Sequence, residues 1–410
     1  MSKIEELLKN EKVEWKRLDE IFYIRTGYTP SKNVKEYWEN GEIDWFTIED
    51  IRNRGRILEY ANVKISKKGV KKDAFKKNSI ILSIIATIGE YALIKTNFVV
   101  NQQFMVFTTK EEYDSKINMN FMNYYFSKVS EYCRKNRRVG NVPTVDTQKI
   151  LKLEIPIPSI ETQEKIVKTL DKFTNYVTEL QAELQARTKQ YDYYRDMLLS
   201  EEYLNKITAE IMGSDTLLKF DYLEDVSDVR DGTHDSPKKQ THGKFLITSK
   251  NIKNGSVIYD NAYYISEDDY SNINKRSKVD IDDLLFTMIG TIGEIAHIKE
   301  QPDFAIKNVG LIKNNGKMLS RYLFYYLNST FIKSYIEQNK SKGSQVFISL
   351  GNLRKMKIPV PPIKVQGHIV EILDKFDTLV NDISKGLPKE IELRQKQYEY
   401  YREKLLSFNK

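Results

Sequence analysis

IPIPSIETQEKIVKTLDKF, at residues 155–173, returns as IPVPPIKVQGHIVEILDKF at residues 358–376, about half the chain later. Each copy closes with a second shared block, KQYDYYR at 189–195 and KQYEYYR at 396–402, followed by Leu-Leu-Ser. A repeat with so long a period indicates two domain-sized units rather than a solenoid of short repeats.

The duplication continues upstream more faintly. SIIATIGE at 83–90 matches TMIGTIGE at 287–294, and Thr47–Ile51 matches Thr248–Ile252. The sequences between these anchors differ freely. We therefore expect one scaffold, kept twice with divergent loops, in which each unit binds a different target in the same manner.

Composition narrows the class of protein. A chain of 410 residues predicts two or three domains, each long enough to bury a core. The single cysteine, Cys133, excludes a disulfide framework and a cysteine-rich zinc site. No apolar run reaches membrane-spanning length, and the amino terminus lacks signal-peptide character. These features predict a cytoplasmic protein without a membrane partner.

The charge is unevenly placed. The net charge is +8, from 65 Lys and Arg against 57 Asp and Glu. Residues 1–155 carry 28 basic and 21 acidic side chains, and residues 213–358 carry 21 and 18, so the excess lies on the divergent segments. A positive surface there favours a polyanion such as DNA, and ordinary solvated lysine is the alternative.

The repeated segments predict long helices. From Ile166 to Leu198 the apolar residues alternate between spacings of four and three, with Arg187 as the polar exception. At 1.5 Å per residue this seam makes a helix of roughly 50 Å. The second copy contains four extra residues near Ser384, where Gly386 and Pro388 predict a break or kink.

Antiparallel pairing of the two helices is the expected arrangement, because a duplicated element tends to close with pseudo-twofold symmetry. The alternative is that each helix packs only against its own globular unit. The residues predicted to pair the helices are Leu170, Phe173, Val177, Leu180, Leu184, Tyr191, Leu373, Phe376, Val380, Ile383 and Tyr398.

The divergent segments mix strand-like and helix-like runs, which predicts an α/β or α+β globule in each. The strand-like runs are Ile80–Ile85, Phe98–Val100 and Leu284–Ile289, and the helical ones are Asn120–Cys133 and Ser320–Gln338. The TIGE sequences at 87–90 and 291–294 predict a strand-turn-strand with the glycine in the turn.

Polar and basic stretches on the same segments predict loops that contact DNA. Arg and Lys read guanine, Gln and Asn read adenine, and Thr and Ser read either, although a phosphate contact is commoner for any one residue. The candidates on residues 1–155 are Thr29, Ser31, Lys32, Lys68, Lys71, Arg137, Arg138 and Asn141. The candidates on residues 213–358 are Thr233, His234, Ser236, Lys238, Lys239, Lys342, Ser344 and Gln345.

No catalytic motif is visible in the sequence. It contains no Walker lysine motif, no Gly-x-Gly-x-x-Gly and no Asn-Pro-Pro-aromatic tetrad, and its four histidines show no metal-ligand spacing. We therefore predict no catalytic residue and no metal site. Two alternatives stay open: a single-chain DNA methyltransferase or nuclease with an unrecognised motif, and a coiled-coil protein adaptor.

The paired blocks resemble the conserved regions of the DNA-specificity subunit of type I restriction-modification systems. Gly343–Leu350 and Asp231–His234 resemble segments of that family's target-recognition domains. In the first unit, Gly140–Val145 stands at the place of Gly343–Ile348 but lacks its Gly-Ser-Gln sequence. The resemblance implies an α+β fold with a pseudo-twofold internal repeat. Two target-recognition domains, 1–155 and 213–358, would be held apart by two long antiparallel coiled-coil-like helices in the conserved spacer segments 156–212 and 359–410.

The resemblance also implies a division of labour. Each target-recognition domain would read half of a bipartite double-stranded DNA site. The helices would set the spacer and dock two methyltransferase (modification) subunits, with translocase-nuclease (restriction) subunits joining for cleavage. S-adenosylmethionine, ATP and Mg²⁺ would belong to those partners, and this chain would hold no cofactor.

Overall fold

A computed structural model describes residues 11–343, 345–382 and 385–408. The chain divides into two compact units: unit 1 comprises residues 1–178 and 393–410, and unit 2 comprises residues 179–392. No helix among the described residues is both long and apolar enough to cross a lipid bilayer.

Both units contain helices and strands. The helices are α1 Leu18–Ile21, α2 Ile48–Arg54, α3 Met119–Lys135, α4 Thr147–Leu151, α5 Ile160–Leu198, α6 Glu201–Met212, α7 Leu223–Val226, α8 Glu267–Ser277, α9 Ser320–Leu327, α10 Thr330–Asn339, α11 Leu350–Arg354, α12 Ile363–Asn381 and α13 Leu387–Leu405. Helix α5 begins in unit 1 and ends in unit 2, and α13 begins in unit 2 and ends in unit 1.

The strands of unit 1 are β1 Glu14–Arg17, β2 Phe22–Thr26, β3 Ile43–Phe46, β4 Ile57–Leu58, β5 Lys64–Ile65, β6 Ser79–Ser83, β7 Tyr91–Ile94, β8 Phe98–Val100, β9 Phe104–Thr109 and β10 Glu154–Ile157. Those of unit 2 are β11 Lys219–Tyr222, β12 Asp228–Asp231, β13 Lys244–Ile247, β14 Ile252–Lys253, β15 Ser256–Val257, β16 Tyr263–Ile265, β17 Leu284–Thr287, β18 Ile295–His297, β19 Phe304–Ile306, β20 Val309–Lys313 and β21 Lys357–Val360.

The sheets of the two units share one strand order, except that β4 at the edge of the unit 1 sheet has no counterpart in the main sheet of unit 2. Unit 1 has the orders β2-β9-β6-β7-β4, β5-β3-β8 and β1-β10. Unit 2 has β12-β20-β17-β18, β16-β13-β19 and β11-β21, with a further hairpin β14-β15. The pairs β3·β8 and β13·β19 are both parallel. This shared topology confirms the α+β class and the internal repeat.

Strand β6 shows why the sheet sits at the centre of unit 1. All five of its residues are buried, and the strand lies between β9 and β7. Because side chains alternate along a strand, Ile80 and Leu82 enter one apolar cluster and Ile81 enters another. The sheet therefore has a core on both faces.

The TIGE segments form the predicted strand-turn-strand. In unit 1 the Ser83 hydroxyl donates to Thr87 O and accepts from Glu90 N at 2.9 Å. In unit 2 Thr287 does the same with Thr291 O and Glu294 N. These bonds end the strands at Ser83 and Thr287, two residues before the ends predicted from the apolar runs. Gly89 and Gly293 follow with φ of +87° and +92°.

The helical predictions hold with one correction. Helix α3 contains the predicted run Asn120–Cys133, and α5 contains the whole seam from Ile166 to Leu198. The predicted single run from Ser320 to Gln338 is instead two helices, α9 and α10, separated by Asn328 and Ser329. Asn328 N–H turns back to Phe324 O and Tyr326 O, and Ser329 begins the next helix as its N-cap.

In unit 1 the start of α5 pairs with the end of α13. Leu170 shares an apolar cluster with Leu405 and Leu406, and Phe173 stacks on Tyr401 with ring centroids 5.0 Å apart. Farther along, the Arg394 guanidinium lies 5.1 Å from the Tyr176 ring centroid. Since residue numbers rise on one helix as they fall on the other, the two segments are antiparallel, as predicted.

In unit 2 the end of α5 pairs with α12 in the same way. Tyr194 stacks on Phe376 at 5.3 Å, and Tyr191 shares an apolar cluster with Leu373 and Val380. Among the other residues predicted to pair, Val177 and Leu180 are buried, Leu184 and Tyr398 are partly buried, and Ile383 lies outside the described residues.

The predicted break in the second copy is present between α12 and α13. Asp382 and residues 385–386 are not helical, and Pro388 occupies the first turn of α13, where its missing N–H costs nothing. A Cβ at Gly386 would lie 2.4 Å from Thr378 O, so the chain passes too close to α12 for a side chain.

The repeated glutamine of each block ties its long helix to the globular part of its unit. Gln163 is fully buried; its amide donates to Pro158 O and Lys116 O at 2.8 Å and accepts from Asn118 N at 2.8 Å. Gln366 likewise donates to Pro361 O at 2.8 Å and accepts from Leu319 N at 2.9 Å. The N–H that donates to the glutamine belongs to the N-cap residue of an earlier helix, Asn118 for α3 and Leu319 for α9.

We predict that Gln163→Ala speeds amide hydrogen exchange at Asn118 about thirtyfold and leaves Leu319 unchanged, and that Gln366→Ala does the reverse. Each substitution leaves buried backbone groups without a hydrogen-bond partner, which lowers the free energy of local opening by roughly 2 kcal/mol. Peptide-level exchange measured by mass spectrometry checks both. Gln148→Ala is the control, because the exposed Gln148 side chain makes no hydrogen bond within the described residues. Equal exchange at Asn118 in all three variants would contradict the role of the amide.

Candidate nucleic-acid interface in each unit

Three loops of unit 1 meet around Tyr28. Its hydroxyl donates to Gly69 O at 3.4 Å and accepts from Lys71 N at 2.7 Å, and its own N–H donates to Val100 O at 2.8 Å. Burial raises the pKa of Tyr28, so the hydroxyl keeps its proton. The loop after β2, the basic loop at 66–73 and the β8–β9 turn are thereby joined.

Close backbone contact sets the path of the loop after β2. A Cβ on Gly27 would lie 2.2 Å from Val100 O, and one on Gly232 in unit 2 would lie 2.3 Å from Ile306 O. Only glycine fits at such a distance. The two loops leave equivalent strands in the same way, because Gly27 N donates to Phe104 O and Gly232 N donates to Val309 O.

The loop at 136–146 joins the same end of the unit 1 sheet. Arg138 and Thr144 form a bridge across the loop, and Ala86 N donates to Pro143 O at 2.9 Å. Ile84 N in turn donates to Gln103 O at 2.8 Å, next to the β8–β9 turn. The structure therefore brings the candidates Thr29, Ser31, Lys32, Lys68 and Lys71 to one linked set of loops with Arg137, Arg138 and Asn141.

The cations of unit 1 are of two kinds. Lys67, Lys68 and Arg138 are ion-paired, with Glu42 at 3.3 Å, Glu36 at 2.9 Å and Asp146 at 2.7 Å, respectively. On these three loops, Lys32, Lys71, Lys72 and Arg137 are exposed and have no carboxylate partner in the described part of the chain. Their positive charges are available to attract a phosphate backbone.

Unit 2 presents an equivalent loop, residues 232–243, with different side chains. Thr233 N donates to Ile306 O at 3.0 Å, as Tyr28 does in unit 1. His234 contacts Asp231 and Asn308, and Lys307 donates to the Ser236 hydroxyl. Lys238 is exposed, and Lys239 Nζ lies 5.0 Å from the Tyr263 ring centroid.

The second loop of unit 2 also lies at this end of its sheet. Ile348 N donates to Met288 O at 2.9 Å, just beyond β17, and Phe347 bridges Ile289. Lys342 and Gln345 on this loop are exposed, and Ser344 lies outside the described residues. The loop at 136–146 makes the matching contacts in unit 1, although its sequence differs.

Two amide side chains of these loops are not among the residues predicted from the sequence to contact DNA. Gln102 and Asn308 stand in the β8–β9 and β19–β20 turns and contact Thr29 and His234, respectively. The sequence feature that indicates them is a short polar turn directly after the strands FVV at 98–100 and FAI at 304–306. Within the described residues no three His, Cys, Asp or Glu side chains are grouped to hold a metal.

Comparison with known proteins identifies the family. The family model of the type I restriction modification DNA specificity domain matches residues 10–190 and again residues 218–393. The chain belongs to this family. The specificity subunit of the type I restriction enzyme EcoprrI from Escherichia coli is 35% identical over 401 residues, which cover 94% of this chain and 92% of that protein. The EcoR124I/EcoR124II specificity subunit, also from Escherichia coli, is 31% identical over 428 residues, covering 100% and 98%.

Solved structures of low sequence identity share the fold. One, from work on complex assembly and conformational transition of the type I R-M system, has a TM-score of 0.63 at 16% identity and covers 97% of this chain and 98% of that one. The S subunit from M. genitalium has a TM-score of 0.50 at 18% identity, covering 98% of each. Family membership confirms the resemblance and the expected role as a specificity component rather than an enzyme.

For this type I specificity protein we predict that Lys71→Ala and Arg137→Ala each weaken DNA binding and make the slope of log K against log salt shallower by about one unit. Lys71→Ala keeps the backbone N–H that holds Tyr28. The matched control is Lys165→Ala, which removes a surface cation already paired with Glu161. Titrations of duplex DNA at several salt concentrations, with the co-expressed partners present, measure the slope. An unchanged slope in both loop variants would exclude these phosphate contacts.

Proposed function

We propose that this chain is the specificity subunit of a type I restriction-modification complex and that each unit reads one half of a bipartite DNA site. The observation that carries the proposal is the pair of equivalent loop sets. In each unit the loops lie at the same end of the equivalent sheet, and Gly27 and Gly232 make equivalent backbone hydrogen bonds. The exposed side chains of the loops nevertheless differ. Two related binders with different readout groups suit two different half-sites.

The proposal assigns the chemistry to partner proteins. Two methyltransferase subunits would bring S-adenosylmethionine, and translocase-nuclease subunits would bring ATP and Mg²⁺. Its support is that the relatives are named as specificity subunits of type I restriction enzymes, and that a related structure concerns assembly of such a complex.

Repeated surface features support two copies of one partner. Tyr193 and Tyr400 stand at the same place in the KQYxYYR blocks and are 66% and 55% exposed. Each meets the ring of the next tyrosine at nearly the same angle, 70° and 68°. Exposed aromatic side chains are enriched where proteins bind proteins, so a surface present twice suits a partner present twice.

The proposal also makes α5 the ruler between the half-sites. Its 39 residues run unbroken from Ile160 to Leu198, which corresponds to about 58 Å. The second copy is interrupted between α12 and α13, so α5 is the element of unbroken length.

Exchange of one unit tests the division of the target. We predict that replacing residues 1–155 by the matching segment of a relative with another target changes one half of the methylated sequence and keeps the other half and the spacer. Replacing residues 213–358 should change the opposite half. Methylation-site maps of DNA exposed to the complexes show the outcome. A change in both halves from one exchange, or in neither, contradicts modular reading.

A second prediction tests the ruler. Four residues inserted after Ala182 add about 6 Å while keeping the apolar stripe in phase, so the preferred spacer grows by one to two base pairs. A two-residue insertion at the same place is the control: it rotates the seam by about half a turn and abolishes assembly. The position suits the test because Ala182 is exposed and lies between the Phe173 and Tyr194 stacks along α5. An active complex with an unchanged spacer would exclude the ruler.

A further inference from the structure

The two turn amides, Gln102 and Asn308, occupy equivalent places on the two interfaces. Each stands between a parallel-paired strand and the next strand of its unit, in the turns β8–β9 and β19–β20. The unit 2 turn is one residue shorter. In both units the turn is covered by the first residues of the glycine-started loop, through Tyr28 N to Val100 O and Thr233 N to Ile306 O.

A side chain of that loop holds each amide by its oxygen. The Thr29 hydroxyl donates to Gln102 Oε1 at 2.6 Å. His234 Nδ1 lies 2.8 Å from Asn308 Oδ1, and the other ring nitrogen lies 3.0 Å from the Asp231 carboxylate. Asp231 also accepts from Arg276 at 2.5 Å, which fixes its position. Two different residue types thus make the same contact in the two units.

This contact leaves free the groups that recognise adenine. An amide oxygen has two lone pairs and the amide nitrogen has two N–H donors. The hydrogen bond from Thr29 uses one lone pair of Gln102 and holds its amide in one orientation, and the contact with His234 holds the Asn308 side chain in place. The second lone pair and an N–H remain, and these match the N6 amino group and N7 of adenine in the major groove. Gln102 is exposed and Asn308 half-buried, so both can be reached.

We propose that Gln102 reads an adenine in the half-site of unit 1 and Asn308 reads an adenine in the half-site of unit 2. Thr29 and His234 are positioning residues that orient the two amides. This inference rests on the proposed function and deepens it, because it assigns one base and one side chain to each half-site.

The test uses the whole complex and the bipartite site found by methylation mapping, with each adenine replaced in turn by 7-deazaadenine. Loss of N7 at the adenine that is read should weaken wild-type binding about tenfold. The Gln102→Ala complex should show no further loss at that adenine in the unit 1 half-site and should keep the wild-type loss in the other half-site. Asn308→Ala should show the opposite pattern.

Thr29 tests the positioning role separately. Thr29→Val keeps the shape but not the hydroxyl, so it should reduce the tenfold 7-deazaadenine effect to about twofold at the adenine read by Gln102. Thr29→Ser keeps the donor and should restore the effect. A residue that merely supports the loop would weaken binding without changing the response to N7.

The outcomes separate this inference from the proposed function. Asn97→Ala and Asn272→Ala are the controls, since these exposed amides lie away from the loops, after β7 and on α8. A wild-type complex that methylates no bipartite site overturns the proposed function. A mapped site whose half lacks adenine, or whose 7-deazaadenine losses are the same in wild type and in Gln102→Ala and Asn308→Ala, overturns the inference alone.

Discussion

Each unit depends on a buried glutamine amide at the start of its long helix. Gln163 and Gln366 have no aqueous alternative for their hydrogen bonds, because both are almost completely buried. Each therefore holds the strand end before its own helix and the N-cap of an earlier helix, α3 or α9, in one arrangement. The order of residues in the repeated block fits this arrangement: Pro158 or Pro361 directly follows the strand β10 or β21, and the glutamine lies one turn into the helix.

A second set of contacts secures the helix farther along. The Asp of the LDKF sequence accepts from a tyrosine of the globular part, at 2.6 Å from Tyr124 to Asp171 and 2.5 Å from Tyr325 to Asp374. Burial raises the pKa of both tyrosines, and the bonds to Asp raise it further, so both remain donors at neutral pH. The following Phe then stacks on a tyrosine of the KQYxYYR block.

With the frame held in this way, the loops are free to differ. The bonds that place them are made by backbone groups and glycines, as at Gly27 and Gly232, and in unit 1 also by the partly buried Tyr28 hydroxyl, so they do not depend on the exposed side chains. The contact between loop and turn survives a change from Thr29 and Gln102 to His234 and Asn308. Such a design allows the readout groups to change without loss of the fold.

The sequence alone determined the repeat, which a comparison of residues 155–173 with 358–376 shows directly. It also determined the seam of α5, the break near Gly386 and the strand-turn-strand at the TIGE segments, because each of these is encoded by neighbouring residues through periodicity or turn chemistry. It located the loops that carry Lys71 and Arg137. Only the tertiary structure decided that Ser320–Gln338 is two helices and that Gln102 lies against Thr29. It also decided that Lys68 is paired with Glu36, whereas Lys71 has no carboxylate partner among the described residues. These depend on contacts between residues far apart in the chain, such as the 73 positions that separate Thr29 from Gln102, and no local pattern records such contacts.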